Sequence, residues 1–207
     1  MRICREHLIT FGAISRNATK GQVYLEFSLL AISFLTSDYM ETDRLFLVQA
    51  QVPMLDAIVR HDWATLSRLL GGVDFADNWY HFPEVFAWMH DYLSESPEEG
   101  IWWTYLIVHK QDVRVIGTCG FKGAPSIDGE VEIGYEIADA YQNRGLATET
   151  AGALTRFAFE QSGVKKVIAQ TLAEENASVS VLKKLGFQFV CSKIDIEDGE
   201  IWEWGKV

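Results

Sequence analysis

Hydrophobic and polar residues change their spacing near residue 140. Residues Glu130–Ile137 alternate polar and apolar side chains, as a strand with one buried face does. Past residue 145, small and apolar residues recur every three or four positions and predict a helix; they are Ala147, Ala151, Leu154 and Ala158. The chain therefore turns from strand to helix through the segment Gln142-Asn143-Arg144-Gly145.

The same two periods predict the other elements. Upstream they predict a strand at 44–48, one amphipathic stripe from Pro53 to Leu70, a second helix after Pro83, and a hairpin with strands at 101–109 and 113–121. Downstream they predict a strand at 166–172, a helix at 178–185, a strand at 187–193 and an alternating strand at 200–207. Three antiparallel strands thus lead into the turn.

Residues 1–39 differ from the rest of the chain. Their apolar stretch at 23–35 is interrupted by Glu26 and is shorter than the about 20 residues that span a bilayer. It begins late for a signal peptide, and no small-residue cleavage pattern clearly follows it. We therefore divide the chain into an N-terminal extension, 1–39, and one domain, 40–207, with Met40 as a second start.

Composition narrows the function classes. The formal net charge of −11 argues against a nucleic-acid binder, because phosphate backbones are bound by clustered Lys and Arg. The 3 cysteines are widely separated and lack metal-ligand spacing, so we predict free thiols in a reducing compartment, the cytoplasm, and no metal site. No membrane partner is expected.

The turn at 142–145 is a candidate anion site. The first N–H groups of a helix lack internal partners and carry the positive end of its dipole. Gly145 lets a phosphate approach the main chain closely, and Arg144 adds positive charge. A glycine turn after a strand is by itself a weak signal, so its surroundings matter.

Those surroundings resemble a known family. The segment Tyr141–Glu149 is similar to the Gln/Arg-x-x-Gly-x-Gly/Ala signature of the GNAT acetyltransferase superfamily, and Asn176-Ala177-Ser178 with Leu185-Gly186-Phe187 resembles its second landmark. The Glu-Ile-Gly-Tyr before the loop is similar to the ribosomal-protein-alanine N-acetyltransferase-like branch. The resemblance covers about residues 41–207. It implies an α+β fold with a splayed, mixed, mostly antiparallel sheet flanked by helices.

The resemblance also implies acetyl-CoA as the acyl donor, with no metal. Main-chain groups near Ile137 and Ala138 would bind the pantetheine arm as an added strand would. The N–H groups of the loop and first helical turn would receive the pyrophosphate; the residues concerned are Gln142, Asn143, Arg144, Gly145, Leu146, Ala147 and Thr148. The acceptor would be a primary amine, with a protein N-terminus as one candidate. The sequence leaves open whether the protein forms a homodimer.

Transfer to an amine requires a base within hydrogen-bond reach. Glu132 and Glu136 lie four residues apart on one strand and share a face, whereas Ile133, Tyr135 and Ile137 are interpreted as core. Either carboxylate qualifies, and Glu136 is slightly favoured because it lies nearer the loop. The competing interpretation is that both are solvated acidic residues.

The second landmark departs from the branch. In this branch an Asn usually lies three residues before the Ser, but here that position is Glu175. Asn176 is one residue later, so Asn176 can contact pantetheine only if the turn is remodelled. Leu182 stands where many relatives have a Tyr that protonates the thiolate. Ser178 either donates a proton or caps the helix, and capping is the more common role.

Three functions remain to be compared. The first is direct acetyl transfer to an amine, and the second is a catalytically silent acyl-CoA-binding sensor, which the missing Tyr keeps open. A nucleoside-triphosphate enzyme is disfavoured because no Gly-Lys-Ser/Thr ends the loop. The resemblance implies that the two early helices flank the acceptor site. Exposed aromatic residues there, Trp79, Tyr80 and His81, either contact the substrate or pack against the sheet, and packing is the more common role of aromatic side chains.

Overall fold

A computed structural model describes residues 39–207, and the 1–38 part of the proposed extension lies outside the described residues. The sheet has the order β1-β2-β4-β5-β6-β7-β9-β8. Its strands are Tyr39–Glu41 (β1), Leu45–Gln49 (β2), Asp74–Phe75 (β3, beside β5), Thr104–His109 (β4), Arg114–Phe121 (β5), Glu130–Ile137 (β6), Lys166–Leu172 (β7), Gln188–Asp195 (β8) and Gly199–Lys206 (β9).

Five α-helices accompany this sheet within residues 39–207. They are Val52–Val59 (α1), Trp63–Leu69 (α2), Pro83–Glu95 (α3), Leu146–Glu160 (α4) and Ala177–Lys184 (α5). Most strand neighbours are antiparallel, whereas β6 and β7 are parallel, as are β3 and β5. The predicted fold class, a mixed and mostly antiparallel sheet flanked by helices, is therefore confirmed.

The sheet opens between β6 and β7. These strands pair only from Glu130 opposite Lys166 to Glu132 opposite Ile168. Beyond that point β6 remains paired with β5 as far as Ile137, while β7 pairs with β9 as far as Leu172. The two halves of the sheet consequently diverge at the carboxyl ends of β6 and β7, next to the start of α4.

Helix α4 fixes this region to the core. Its period-3.6 stripe was predicted from Ala147, Ala151, Leu154 and Ala158; the last three side chains are fully buried, and Ala147 is partly buried. Leu146 is buried as well, so the first residue of α4 is anchored by its side chain while its N–H stays at the helix end. The position of the loop before α4 is therefore set by core packing.

Two expectations about the early part of the chain were wrong. The stripe from Pro53 to Leu70 is not one helix, because it breaks between α1 and α2, where His61 has a φ of 54° and Asp62 accepts a hydrogen bond from the Thr65 N–H at 3.0 Å. The sequence predicted one helix because the hydrophobic period continues through the break, and it continues because both helices pack on the same core. The predicted strand at 101–109 begins only at Thr104, after a 3-10 helix at Pro97–Trp102.

The short strands β1 and β3 were not predicted. Strand β1 pairs antiparallel with β2, with Met40 opposite Leu47. Since β1 begins at Tyr39, it starts one residue before the proposed boundary, which itself stays a prediction. No helix in the 39–207 range is long and apolar enough to cross a membrane. The apolar stretch at 23–35 lies outside the described residues.

Candidate active site

The loop before α4 has the geometry of an open helix start. Gly145 precedes α4 with a φ of 76°, in the left-handed region that favours glycine, and Asn143 has a φ of 59°. No side chain caps α4, although Asp62 caps α2 and Asn176 caps α5. Residues Gln142 to Gly145 are exposed. The first N–H groups of α4 therefore face solvent at the positive end of the helix dipole.

A brace from the start of the domain holds this loop. The Glu149 carboxylate accepts hydrogen bonds from the Thr42 hydroxyl at 2.6 Å, the Arg44 N–H at 2.8 Å and the Arg44 guanidinium at 2.7 Å. Arg44 also donates to the Arg144 carbonyl at 2.9 Å. Burial acts to raise the pKa of Glu149, but the hydrogen bonds from Thr42 and Arg44 outweigh it and the pKa is lowered. The carboxylate thus stays ionised and keeps the brace at neutral pH.

Main-chain groups of β6 line the opening of the sheet. The Ala138 N–H donates to the Ile116 carbonyl and the Glu132 carbonyl accepts from Lys122, so even-numbered residues of β6 bond to β5. Because strand main-chain groups alternate in direction, those of Tyr135 and Ile137 point toward the diverging β7. Both main-chain groups of Ala138 have partners within the protein, and the Ile137 carbonyl accepts from the Gln142 side chain at 3.0 Å. Of the two expected residues, Ile137 faces the opening.

The two candidate bases have different surroundings. Glu136 accepts a hydrogen bond from the Thr118 hydroxyl at 2.6 Å on one oxygen and contacts the His81 Nδ1 at 2.8 Å with the other. Glu132 forms an ion pair with the Lys122 ammonium at 2.5 Å. The β5–β6 register is unbroken from Ile133 to Ile137, so strand alternation places both carboxylates on one face, as predicted. Only Glu136 lacks a lysine partner.

Glu136 borders a cavity of about 310 Å³ between α3, β4, β5 and β6. Its walls are mostly apolar or aromatic and include Phe82, Val85, Phe86, Met89, Trp103 and Phe121. Gly134, two residues before Glu136 on the same face of β6, also lines it. Of the aromatics considered earlier, Trp79 is buried in the core, so packing is its role, whereas His81 reaches Glu136.

The start of α5 corrects one expectation. The Val179 N–H donates to the Asn176 side-chain oxygen at 3.0 Å, so Asn176 caps the helix and Ser178, in its first turn, does not. The capping oxygen of Asn176 is thereby occupied. Burial raises the pKa of Tyr135 to about 12, and the neighbouring Ser178 side chain acts in the opposite direction. The buried Tyr135 hydroxyl has no hydrogen-bond partner within residues 39–207. Tyr135 and Ser178 thus bring two hydroxyl groups together beside the opening.

Sequence reasoning missed four side chains of this site. Arg44 and Thr42 lie about a hundred residues from the loop they hold, and no local pattern connects them. Thr118 meets Glu136 only through the register of β5 on β6. Tyr135 was interpreted as core from strand alternation, and its hydroxyl is indeed buried. Leu182 is fully buried, as its apolar side chain requires.

Nothing among the described residues resembles a metal centre: residues 39–207 contain no group of three or more His, Cys, Asp or Glu side chains arranged to hold an ion. Cys119 and Cys191 are free thiols. Burial strongly raises the pKa of Cys119, which keeps its thiol protonated.

The sequence matches a known protein family over most of its length. The model of the acetyltransferase (GNAT) domain matches residues 44–188. The chain belongs to the GNAT acetyltransferase family. This GNAT chain is 27% identical over 150 residues to the uncharacterized N-acetyltransferase YjdG of Bacillus subtilis, covering 72% of this chain and 88% of YjdG. These matches identify it as an acyltransferase, and its recognition from the loop motif is confirmed.

Solved structures share the fold of this GNAT acetyltransferase. One is the ribosomal-protein-S5-alanine acetyltransferase of Vibrio fischeri, with a TM-score of 0.61, 15% identity, and coverage of 82% of this chain and 96% of that one. Another is RimL, the ribosomal L7/L12 alpha-N-protein acetyltransferase in complex with coenzyme A, with a TM-score of 0.60, 14% identity, and coverage of 82% and 98%. At these identities the likeness describes the fold.

Proposed function

We propose that this protein transfers the acetyl group of acetyl-CoA directly to a primary amine, and that the amine is a protein N-terminus. The proposal rests on the position of Glu136. Its carboxylate borders a cavity on one side of β6. The main chain of the same strand lines the opening of the sheet, which leads to the uncapped start of α4. A donor and an acceptor can therefore meet across one strand.

The donor side follows from the open hydrogen-bond groups. The N–H groups of Asn143, Gly145, Ala147 and Thr148 would bind the pyrophosphate, with Arg144 and Arg44 supplying positive charge nearby. The main chain of Tyr135 and Ile137 would pair with pantetheine as an added strand. Gln142 holds the end of β6 through its bond to the Ile137 carbonyl. The amide group of Asn176 remains as a donor.

In the transfer itself, the amine nitrogen attacks the thioester carbon, the carbon–sulfur bond breaks and the CoA thiolate departs. Glu136 would accept the proton that the amine loses. Glu132 is the weaker candidate because the Lys122 ammonium, at 2.5 Å, already neutralises it. His81, at 2.8 Å from Glu136 and half exposed, would pass that proton on to solvent.

The leaving thiolate would meet Ser178 and Tyr135. A phenol whose pKa is about 12 is a weaker acid than a thiol, so Tyr135 would stabilise the thiolate by donating a hydrogen bond while keeping its proton. Ser178, with no capping duty, would share this task directly or through a water. Main-chain donors of β6 would meet the carbonyl oxygen as charge develops on it.

Tyr135→Phe is expected to lower kcat roughly tenfold or more, because a hydrogen bond to a charged group such as the thiolate is worth about 1.5–3 kcal/mol. Ser178→Ala should give a similar loss, and the double variant should lose little more, because the two hydroxyls act as a unit. Single-turnover kinetics with saturating acetyl-CoA measure the effect. Full turnover in both single variants would remove this pair from the mechanism.

The N-terminal amine is proposed from the relatives. The proteins with this fold include enzymes described as acting on ribosomal proteins, one of them on an alanine and one as an alpha-N-protein acetyltransferase. An exposed cavity beside the base suits the end of a flexible chain. The alternative, a silent acyl-CoA sensor, is less favoured because Glu136 is ordered by Thr118 and His81 rather than left free.

Release of free CoA separates the two functions. The purified chain is incubated with acetyl-CoA and a panel of amines: peptides with free N-termini, N-blocked lysine peptides, polyamines and aminoglycosides. We expect amine-dependent CoA release, fastest with free N-termini and absent with peptides blocked there. Binding of acetyl-CoA by calorimetry without transfer to any amine would support the sensor instead.

A further inference from the structure

We infer that the acceptor carries a large apolar side chain next to its amine, and that the cavity between α3 and strands β4–β6 receives this side chain. The inference rests on the proposed transfer to an amine at Glu136 and names the class of acceptor. It excludes acceptors that bear several positive charges, such as polyamines and aminoglycosides.

The walls of the cavity favour an apolar occupant. Helix α3 presents Val85, Phe86 and Met89 to it, and β5 contributes Phe121. Phe82, just before α3, and Trp103, just before β4, complete the apolar lining. Phe82 is 59% exposed and Val85 42%, so both have apolar surface that an occupant would cover. Burial of apolar area on both partners is the main source of affinity for such a pocket.

The shape of the cavity limits the size of the occupant. Its volume of about 310 Å³ stands at the lower end of the 300–1,000 Å³ range of ligand pockets. Such a volume suits one side chain with its amine better than an extended ligand. Gly134 leaves the floor open, because a Cβ added there would meet no atom within 4 Å.

The distance between the floor of the cavity and the proposed base fits an amine and the side chain next to it. Gly134 and Glu136 lie two residues apart on one strand, about 7 Å along the sheet surface. An amine placed at the Glu136 carboxylate can therefore direct the side chain on the neighbouring carbon toward Gly134. A bulky apolar side chain reaches the aromatic walls from this position, whereas a hydrogen or a methyl group leaves them uncovered.

Charges around the cavity do not favour a polycation. Its charged lining residues within the described chain are Glu136 and Lys122. Lys122 is paired with Glu132, and Glu136 would be occupied by the reacting amine. A second or third ammonium group would therefore meet apolar walls or the Lys122 ammonium, and it would lose its water without gaining a carboxylate partner.

The test compares acceptor peptides that differ only in their first residue. Peptides beginning with Phe, Leu or Met and peptides beginning with Gly or Ser are acetylated in parallel, together with spermidine, and kcat/KM is measured for each. We expect the apolar-first peptides to be preferred at least fivefold and spermidine to be the poorest acceptor. Gly134→Leu should reduce this preference about fivefold, because its side chain fills the floor. Gly134→Ala, which adds one methyl group, is the matched control and should keep most of the preference.

The outcomes separate this inference from the proposed function. Acetylation of peptides with no preference for an apolar first residue, or a preference that Gly134→Leu does not change, would overturn the inference and leave amine transfer intact. Faster acetylation of spermidine than of any peptide would do the same. Acetyl-CoA binding with no acetylation of any acceptor would overturn both. Calorimetric titration of each variant with acetyl-CoA identifies a loss that comes from misfolding.

Discussion

Replacing Glu136 with Gln is expected to lower kcat roughly 10²-fold while acetyl-CoA affinity changes little. General-base catalysis is typically worth 10²–10⁴-fold, and the amide keeps the shape of the carboxylate. The Thr118 hydroxyl, 2.6 Å from the carboxylate, can donate to the amide oxygen equally well, so the side chain should stay in place. Steady-state kinetics and calorimetric titration with acetyl-CoA measure the two quantities separately.

The pH dependence distinguishes a base from a structural glutamate. An N-terminal amine has a pKa of about 8, so by pH 9 most of the acceptor is already deprotonated and a base is less needed. The loss caused by Glu136→Gln should therefore shrink between pH 6 and pH 9. Glu132→Gln is the matched control on the same face of β6, and we expect a smaller loss because Lys122 already neutralises Glu132. If both variants keep full turnover across this range, neither glutamate is the base.

Gly145→Val is expected to weaken acetyl-CoA binding at least tenfold, which corresponds to about 1.4 kcal/mol. At a φ of 76° a β-branched residue is strained, and its side chain would stand where the pyrophosphate approaches the first N–H groups of α4. The added side chain would obstruct the ligand and not the protein, because the nearest protein atom to an added Cβ is an Arg44 nitrogen at 3.6 Å, an ordinary van der Waals distance. Calorimetric titration of the folded variant gives the affinity.

Gly163→Val provides the control for strain. Gly163 follows the other end of α4 with a φ of 90°, and an added Cβ there would meet nothing within 4 Å. Both variants should therefore lose similar thermal stability, but Gly163→Val should bind acetyl-CoA like the parent chain. Equal affinity in the two folded variants would show that the loop does not bind the pyrophosphate.

Local patterns predicted the elements that carry the site. The strands Glu130–Ile137 and Lys166–Leu172 have the predicted bounds, because alternation and turn residues act within a few positions. The turn at Gly145 was predicted for the same reason. The capping residue of α5 was not predicted correctly. Asn and Ser both favour the capping position, and because the helix begins at Ala177, the cap is Asn176 and not Ser178.

Contacts between distant segments escaped prediction. Glu136 was proposed as a base without its partners, since Thr118 reaches it only through strand register and His81 through the packing of the segment before α3. The divergence of β6 and β7 was expected only from the family resemblance. Periodicity assigns a residue to a face, but it cannot identify the side chain that packs against it from another part of the chain.

The bonds from Thr42 and Arg44 to Glu149 join residues 107 and 105 positions apart, and this separation affects how the protein folds. Contacts between such distant residues carry a large loop-closure entropy and form late in a folding reaction that begins with local hairpins. A partly folded chain without these bonds would lack the part of the loop's support that comes from the start of the domain. The coenzyme should therefore recognise the finished domain almost exclusively. By mass action, its cellular concentration would then hold the folding equilibrium on the native side.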